Sequence, residues 1–214
     1  LGNALYEGVH DALIEAGPRV FGASFFKART SYVERRLEAI VRRIFPANAT
    51  VLTNCYETSD LHHEHDVVVL HDRVIYFFEA KRTPPIEPPT DIPRASVRLQ
   101  RAFTDKDRGI QKGFDQARHL LDRIATETNV TVYGKKRAPV LQINRGDIDA
   151  TFAVVVTADD FGALAVDLSI LLRKPTDCPY PWVVNLFDLE TLVNAFKTRG
   201  WGPEQLTKFL NERA

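Results

Sequence analysis

No methionine occurs in the 214 residues, and cysteine occurs only at Cys55 and Cys178. Two distant cysteines, neither in a CxxC, argue against a disulfide framework or a thiolate zinc site, and a reducing, cytoplasmic setting is the expectation. The missing initiator methionine suggests a processed chain or a segment of a longer polypeptide with further domains. An excess of charge is lacking too: 28 lysines and arginines balance 28 aspartates and glutamates. Any polyanion site must therefore come from local clustering. Apolar runs fall far short of the ~20 residues that span a bilayer, and there is no signal peptide, so no membrane partner is expected.

What is present is enough apolar residue for one core, 44% of the chain. Residues 1–30 contain a candidate helix, "NALYEGVHDALIEAG", read as a peripheral extension that Gly17-Pro18 closes. "SYVERRLEAIVRRIF" places Val33, Leu37, Ile40 and Ile44 on one helical face that Pro46 ends. "TVLTNCY" reads as a strand, and "EHDVVVLHDRVIYFFEAK" as two more. Residues 83–108 begin proline-rich and turn basic, an excursion from the core. A helix at "GIQKGFDQARHLLDRIATE" and strands at "TFAVVVT" and "WVVNLFD" follow. The order is αβββαβ with additions, an α/β (α+β) fold whose mixed central sheet is flanked by helices, with a core over 31–160 and a C-terminal addition over 161–214.

The hairpin carries the chemistry. A two-residue turn at either His71-Asp72 or Asp72-Arg73 puts Glu64, Asp66, Glu79 and Lys81 on one face, unless a bulge reverses the facing. Opposed carboxylates ~5 Å apart are costly without a cation between them, and oxygen ligands suit Mg2+ or Mn2+. Lys81 beside such an ion can orient a water and offset charge on a phosphorane-like transition state. A second reading of "HHEHD" is a zinc site led by His62, His63 and His65, although alternation splits those rings between faces.

These segments resemble the PD-(D/E)XK nuclease superfamily and, within it, the nuclease-related domain group. The resemblance is carried by "VERRLEAIVRRIFPANATVLTNCY", "EHD", "VIYFFEAK" and "KGFDQARHLL" in that order, over about residues 31–128. It implies a restriction-endonuclease-like core and metal-dependent phosphodiester hydrolysis. Asp66 takes the "D" position, Glu79 and Lys81 the E-x-K positions, Glu34 the first-helix acid and Gln116 the polar position of the following helix. Metal ligands would be Glu34, Asp66, Glu79 and the Ala80 carbonyl. His65 replaces the family proline, and Leu120 stands where the RecB-like branch has tyrosine. Two residues keep other readings: Glu34 forms a capping box with Ser31, leaving Glu38 as a substitute acid, and Gln116 can be a plain surface residue.

Arg94, Arg98, Arg101, Lys106, Arg108, Lys112 and Arg118 outnumber three aspartates across their segment, a candidate phosphate-contacting surface, and "YGKKRAP" adds a basic loop. No base-reading motif accompanies them. The expectation is a magnesium-dependent nuclease acting on nucleic acid, DNA foremost. The alternative is an inactive nuclease-fold module that grips nucleic acid or a partner protein.

Overall fold

The computed structural model describes residues 20–81, 97, 100, 103–104, 109–158, 161, 168–169, 171–176 and 178–213, with side chains from residue 31 onward. The helix expected within residues 3–17 and most of the 83–108 excursion, with Arg94, Arg98, Arg101, Lys106 and Arg108, lie outside the described residues.

Seven strands form one mixed sheet: β1 (Thr50–Tyr56), β2 (Glu64–His71), β3 (Val74–Lys81), β4 (Asn129–Tyr133), β5 (Pro139–Asn144), β6 (Ala150–Thr157) and β7 (Trp182–Asn185), in spatial order β5-β4-β1-β2-β3-β6-β7. β6 lies parallel to both β3 and β7, and the remaining pairs are antiparallel. The helices are α1 (Val20–Ile44), α2 (Ile110–Thr126), α3 (Leu186–Thr198) and α4 (Pro203–Arg213). None of the described helices is long and apolar enough to cross a membrane.

Each apolar periodicity finds its partner layer. The α1 stripe of Val33, Leu37, Ile40 and Ile44 packs with α3 and α4 residues on one sheet face, over Val67, Val69, Tyr76 and Phe78. On the other face α2 sets Ala117, Leu120 and Ile124 against Val68, Ile75 and Phe77. β3 is thus buried from both sides and reads as a continuous apolar run.

Of the two turn positions open in the sequence, Asp72-Arg73 is the one used: His71 pairs with Val74 and Val67 with Phe78. Both turn residues have positive φ, 45° and 67°, the signature of a type I′ turn, whose twist matches that of the strands. The Arg73 guanidinium is tied down by a fork onto Asp149 at 2.8 and 2.9 Å.

Two expectations are corrected, and one basic loop gains flanking strands. α1 already runs from Val20, so Ser31 and Glu34 lie in its interior rather than in a first-turn capping box. The basic "YGKKRAP" segment is the turn of an unforeseen hairpin, β4–β5, that extends the sheet beyond β1. The strand read at "WVVNLFD" stops at Asn185, whose side chain accepts the Asp188 N–H and starts α3.

Phe77 is fully buried, whereas Phe187 is 75% exposed. Urea unfolding of Phe77→Ala should show a loss of about 3–5 kcal/mol, and Phe187→Ala a change within about 0.5 kcal/mol. Equal losses would contradict the layer assignment.

Candidate functional site

The site lies where β2 and β3 part. Their ladder stops at Val67–Phe78, and beyond it the Ala80 N–H is taken by the Asp66 carboxylate, Oδ2 at 2.7 Å. The expected one-face arrangement does not survive this point. Leu52 and Cys55 belong to the same α2-facing cluster although an odd separation should put them on opposite faces. The left-handed Asn54 (φ 48°), beside Asp66 on the next strand, reverses the alternation between them.

The consequence is an exchange of partners. His65, not Asp66, swings under α2, packs on Phe77 with ring centroids 5.8 Å apart, and meets Glu79. Asp66 instead opens onto a small cleft that it shares with Glu34, Arg35, Glu38, Thr53 and Asn54 at the α1 side. Glu64 bonds the Tyr56 hydroxyl at 3.0 Å and is exposed.

Lys81 follows Glu79 toward α2. Its ammonium donates to Gln116 Oε1 at 2.6 Å and lies 3.6 Å from Glu79 Oε2. Gln116 in turn donates to the Glu64 carbonyl at 3.2 Å. The Lys81 stem passes over Gly113, where an added Cβ would meet Lys81 Cε at 2.9 Å and Val155 at 3.1 Å. Glycine is needed there for close approach rather than for a special φ.

Behind Glu79 runs a buried chain of charge. Glu79 Oε1 bonds His65 Nδ1 at 3.0 Å, and His65 Nε2 bonds Glu57 Oε1 at 3.0 Å, all three residues being at most 1% exposed. Glu57 Oε2 then accepts from His119 Nδ1 at 2.6 Å, with Arg123 at 3.5 Å. Arg123 also donates to the Glu57 carbonyl and forks onto Glu127. None of Glu57, His119 and Arg123 was singled out in the sequence. Gln116, His119 and Arg123 do recur at i, i+3 and i+7 opposite the apolar stripe of α2, the one signal that pointed at them. Exposed Lys112 continues that polar stripe by its spacing, whereas Arg118 leans to Asp115 at 3.9 Å.

Electrostatics follow from burial and pairing. Burial alone would push the His65 imidazole down, but its bonds to Glu57 and Glu79 and their charges outweigh it and hold its pKa up at about 9. His65 is therefore an imidazolium donating from both nitrogens. For Glu57, burial pushes upward, and the His65 and His119 bonds bring the carboxyl below its ordinary range. Burial and then the Glu79 charge lift Asp66 to about 7, against the pull of Lys81 and the Ala80 N–H. Burial, followed by the Glu64 charge, also raises Glu34, while Lys135 of the β4–β5 turn and Lys81 draw it down. Cys55 is pushed up to about 12 by burial and Glu79 and is an inert thiol.

The expected residues thus form two groups on either side of the sheet end: Glu34 and Asp66 at the cleft beside α1, and Glu79, Lys81 and Gln116 beneath α2. Yet among the described residues the group of three histidine, cysteine or acidic side chains whose ligand atoms all lie within 4.8 Å of one another is Glu57, His63 and His119. The histidines of "HHEHD" are dispersed: His62 pairs with Asp60 at 3.2 Å, His63 stacks on His119, and His65 is buried between its two carboxylates. A larger cavity, bordered by Phe114, Tyr180 and Trp182, shares no lining residue with the site.

Comparison with family models finds no match, and comparisons with the curated proteins and with the solved structures find none either.

The folded His65 value lies above the unfolded ~6.5, so its contribution is complete below about pH 6.5 and is lost as pH rises through about 9. In EDTA, wild-type unfolding free energy should fall over that range by on the order of 3 kcal/mol more than that of His65→Gln. Parallel pH profiles would contradict the imidazolium. Gly113→Ala should cost about 1–3 kcal/mol in urea unfolding by crowding Lys81 and Val155, and a neutral result would show that Lys81 does not cross there.

Proposed function

We propose that this chain is a divalent-metal-dependent nuclease domain of the PD-(D/E)XK kind, hydrolysing phosphodiester bonds in nucleic acid, DNA foremost. The observation that carries the reading is the Glu79–Lys81–Gln116 group on the α2 side of the parted strand end, with Asp66 bonded to the intervening Ala80 N–H on the α1 side. Glu79 Oε2 is buried and, among the described residues, has no hydrogen-bond partner, only the Lys81 ammonium 3.6 Å away, which leaves an acceptor that a cation satisfies. Asp66 accepts the Ala80 N–H through Oδ2 alone, which leaves Oδ1 clear of that bond. All donors are oxygens, the chemistry that suits Mg2+ or Mn2+.

The residues to hold the ion are Asp66, Glu79 and the Ala80 carbonyl, with Glu34 across the cleft. Such an ion would supply Lewis-acid polarisation of the scissile phosphate. The chain's own contribution is to place charges. Lys81, fixed by Gln116, directs its ammonium to the same point as Glu79 Oε2, where it can orient a water and offset negative charge on phosphate oxygens. His65 locks the Glu79 rotamer, so the spare oxygen keeps its direction without reorganisation. The exposed Lys135, Lys136 and Arg137 turn, close enough for Lys135 to act on Glu34, and Lys112 on α2 offer backbone-phosphate contacts.

One observation favours the second reading, a binding module without turnover. His65 already occupies Glu79 Oε1, and the carboxylates of Glu34, Asp66 and Glu79 are not drawn together as closely as the Glu57 group. The discriminating experiment is cleavage of circular and linear DNA and of RNA with Mg2+, Mn2+ or EDTA. Lys81→Ala should lower metal-dependent cleavage by roughly a hundredfold or more while circular dichroism stays native, and Glu79→Gln should lower it as far with a loss of stability from the broken His65 bridge. A Lys81→Ala protein as fast as wild type would overturn the nuclease reading. Salt-sensitive DNA binding with no cleavage and no calorimetric response to Mg2+ would establish the binding module.

A further inference from the structure

Outside the Asp66–Glu79 centre, Glu57, His63 and His119 bring one carboxylate and two imidazoles to a common point, with ligand atoms all within 4.8 Å of one another. They come from three places in the chain. Glu57 directly follows β1, and His63 closes the β1–β2 loop, whose Glu57 N–H reaches the carbonyls of His62 and His63 at 3.2 and 3.3 Å. His119 comes from the polar stripe of α2.

We propose that Glu57, His63 and His119 form a second metal site, selective for a borderline transition-metal dication, Zn2+ foremost. This does not rest on the nuclease reading.

The donor set is the first argument. Two nitrogens with one carboxylate suit Zn2+, Co2+ or Ni2+, whereas Mg2+ and Ca2+ take oxygen ligands. Preorganisation is the second. The Glu57 carboxylate is fully buried, and its Oε1 is pinned by His65, the kind of outer partner that orients a ligating group. Oε2 meets His119 Nδ1 at 2.6 Å and Arg123 at 3.5 Å, contacts that a bound ion would replace.

The rings themselves supply the third argument. His63 and His119 lie nearly parallel, 14° apart with centroids 4.3 Å apart, and among the described residues no hydrogen-bond partner meets the His63 ring. Imidazole lone pairs lie in the ring plane, so one ring must turn for both to share an ion, and the exposed His63 ring, with no hydrogen bond among the described residues, is free to do so. Both residues are exposed, so water can complete the coordination. Local charge around Glu57 is balanced: Glu57, Glu79 and Glu127 are met by His65, Arg123 and Lys81, with Arg123 forked onto Glu127 at 2.8 and 3.0 Å and Lys81 3.6 Å from Glu79. His65 also bonds Glu79, so an ion on Glu57 is two hydrogen bonds from the proposed Mg2+ ligand.

The test uses the full chain stripped with EDTA and titrated with Zn2+ by calorimetry and with Co2+ by visible absorption. Wild type should bind Zn2+ far more tightly than Mg2+ and develop a ligand-field band with Co2+. His63→Ala, which removes an exposed ring whose contact is a stack, should fold normally, lose that band and weaken Zn2+ binding roughly tenfold or more. His119→Ala should do the same, and Asp66→Asn should keep both signals. Zn2+ affinity unchanged in His63→Ala and His119→Ala, or loss of the Co2+ band in Asp66→Asn alone, would overturn the proposal.

Discussion

The interaction on which the site depends is the buried bridge Glu57–His65–Glu79. Two carboxylates this deeply buried are tenable only because one imidazolium donates to both, and the imidazolium is tenable only because both carboxylates receive it. Removing either partner leaves an uncompensated buried charge. The bridge orients Glu79 so that one oxygen is consumed and the other remains, 3.6 Å from the Lys81 ammonium and without a hydrogen-bond partner among the described residues. It also fixes Glu57 so that its second oxygen faces His119.

The fold exists around this bridge for a geometric reason. His65 can reach Glu79 only because Asn54 reverses the facing at the end of β1, and Asp66 then fills the gap in the ladder by accepting the Ala80 N–H. The same irregularity separates the two oxygen-rich directions. Asp66 and Glu34 look toward α1, while Glu79, Lys81 and Gln116 look toward α2. β3, packed on both faces, is the rigid rod that carries both.

Much of this was legible in the sequence. The 3.6-residue stripe from Val33 to Ile44, the apolar strand runs and the helix at Ile110–Thr126 all reflect local periodicity, which the sheet and its flanking layers preserve. The hairpin was narrowed to two registers, and the tolerance of aspartate and arginine for positive φ had to be seen in the turn itself. The β4–β5 hairpin was obscured because β5, "PVLQIN", is mostly exposed and offers the core only the short alternation of Leu141 and Ile143. The facing of His65 was not legible, since a single left-handed residue on a neighbouring strand decides it. Glu57 was invisible for a related reason: its partners lie eight and more than sixty residues away.

The central claim is that His65 is a cation at neutral pH, held between Glu57 and Glu79. The most direct measurement is nitrogen-15 NMR of the histidine rings in the metal-free protein across neutral pH. Both His65 nitrogens should carry protons, with imidazolium shifts that persist until about pH 9. A His65 ring with one bare nitrogen at pH 7, titrating near the ordinary ~6.5, would contradict it.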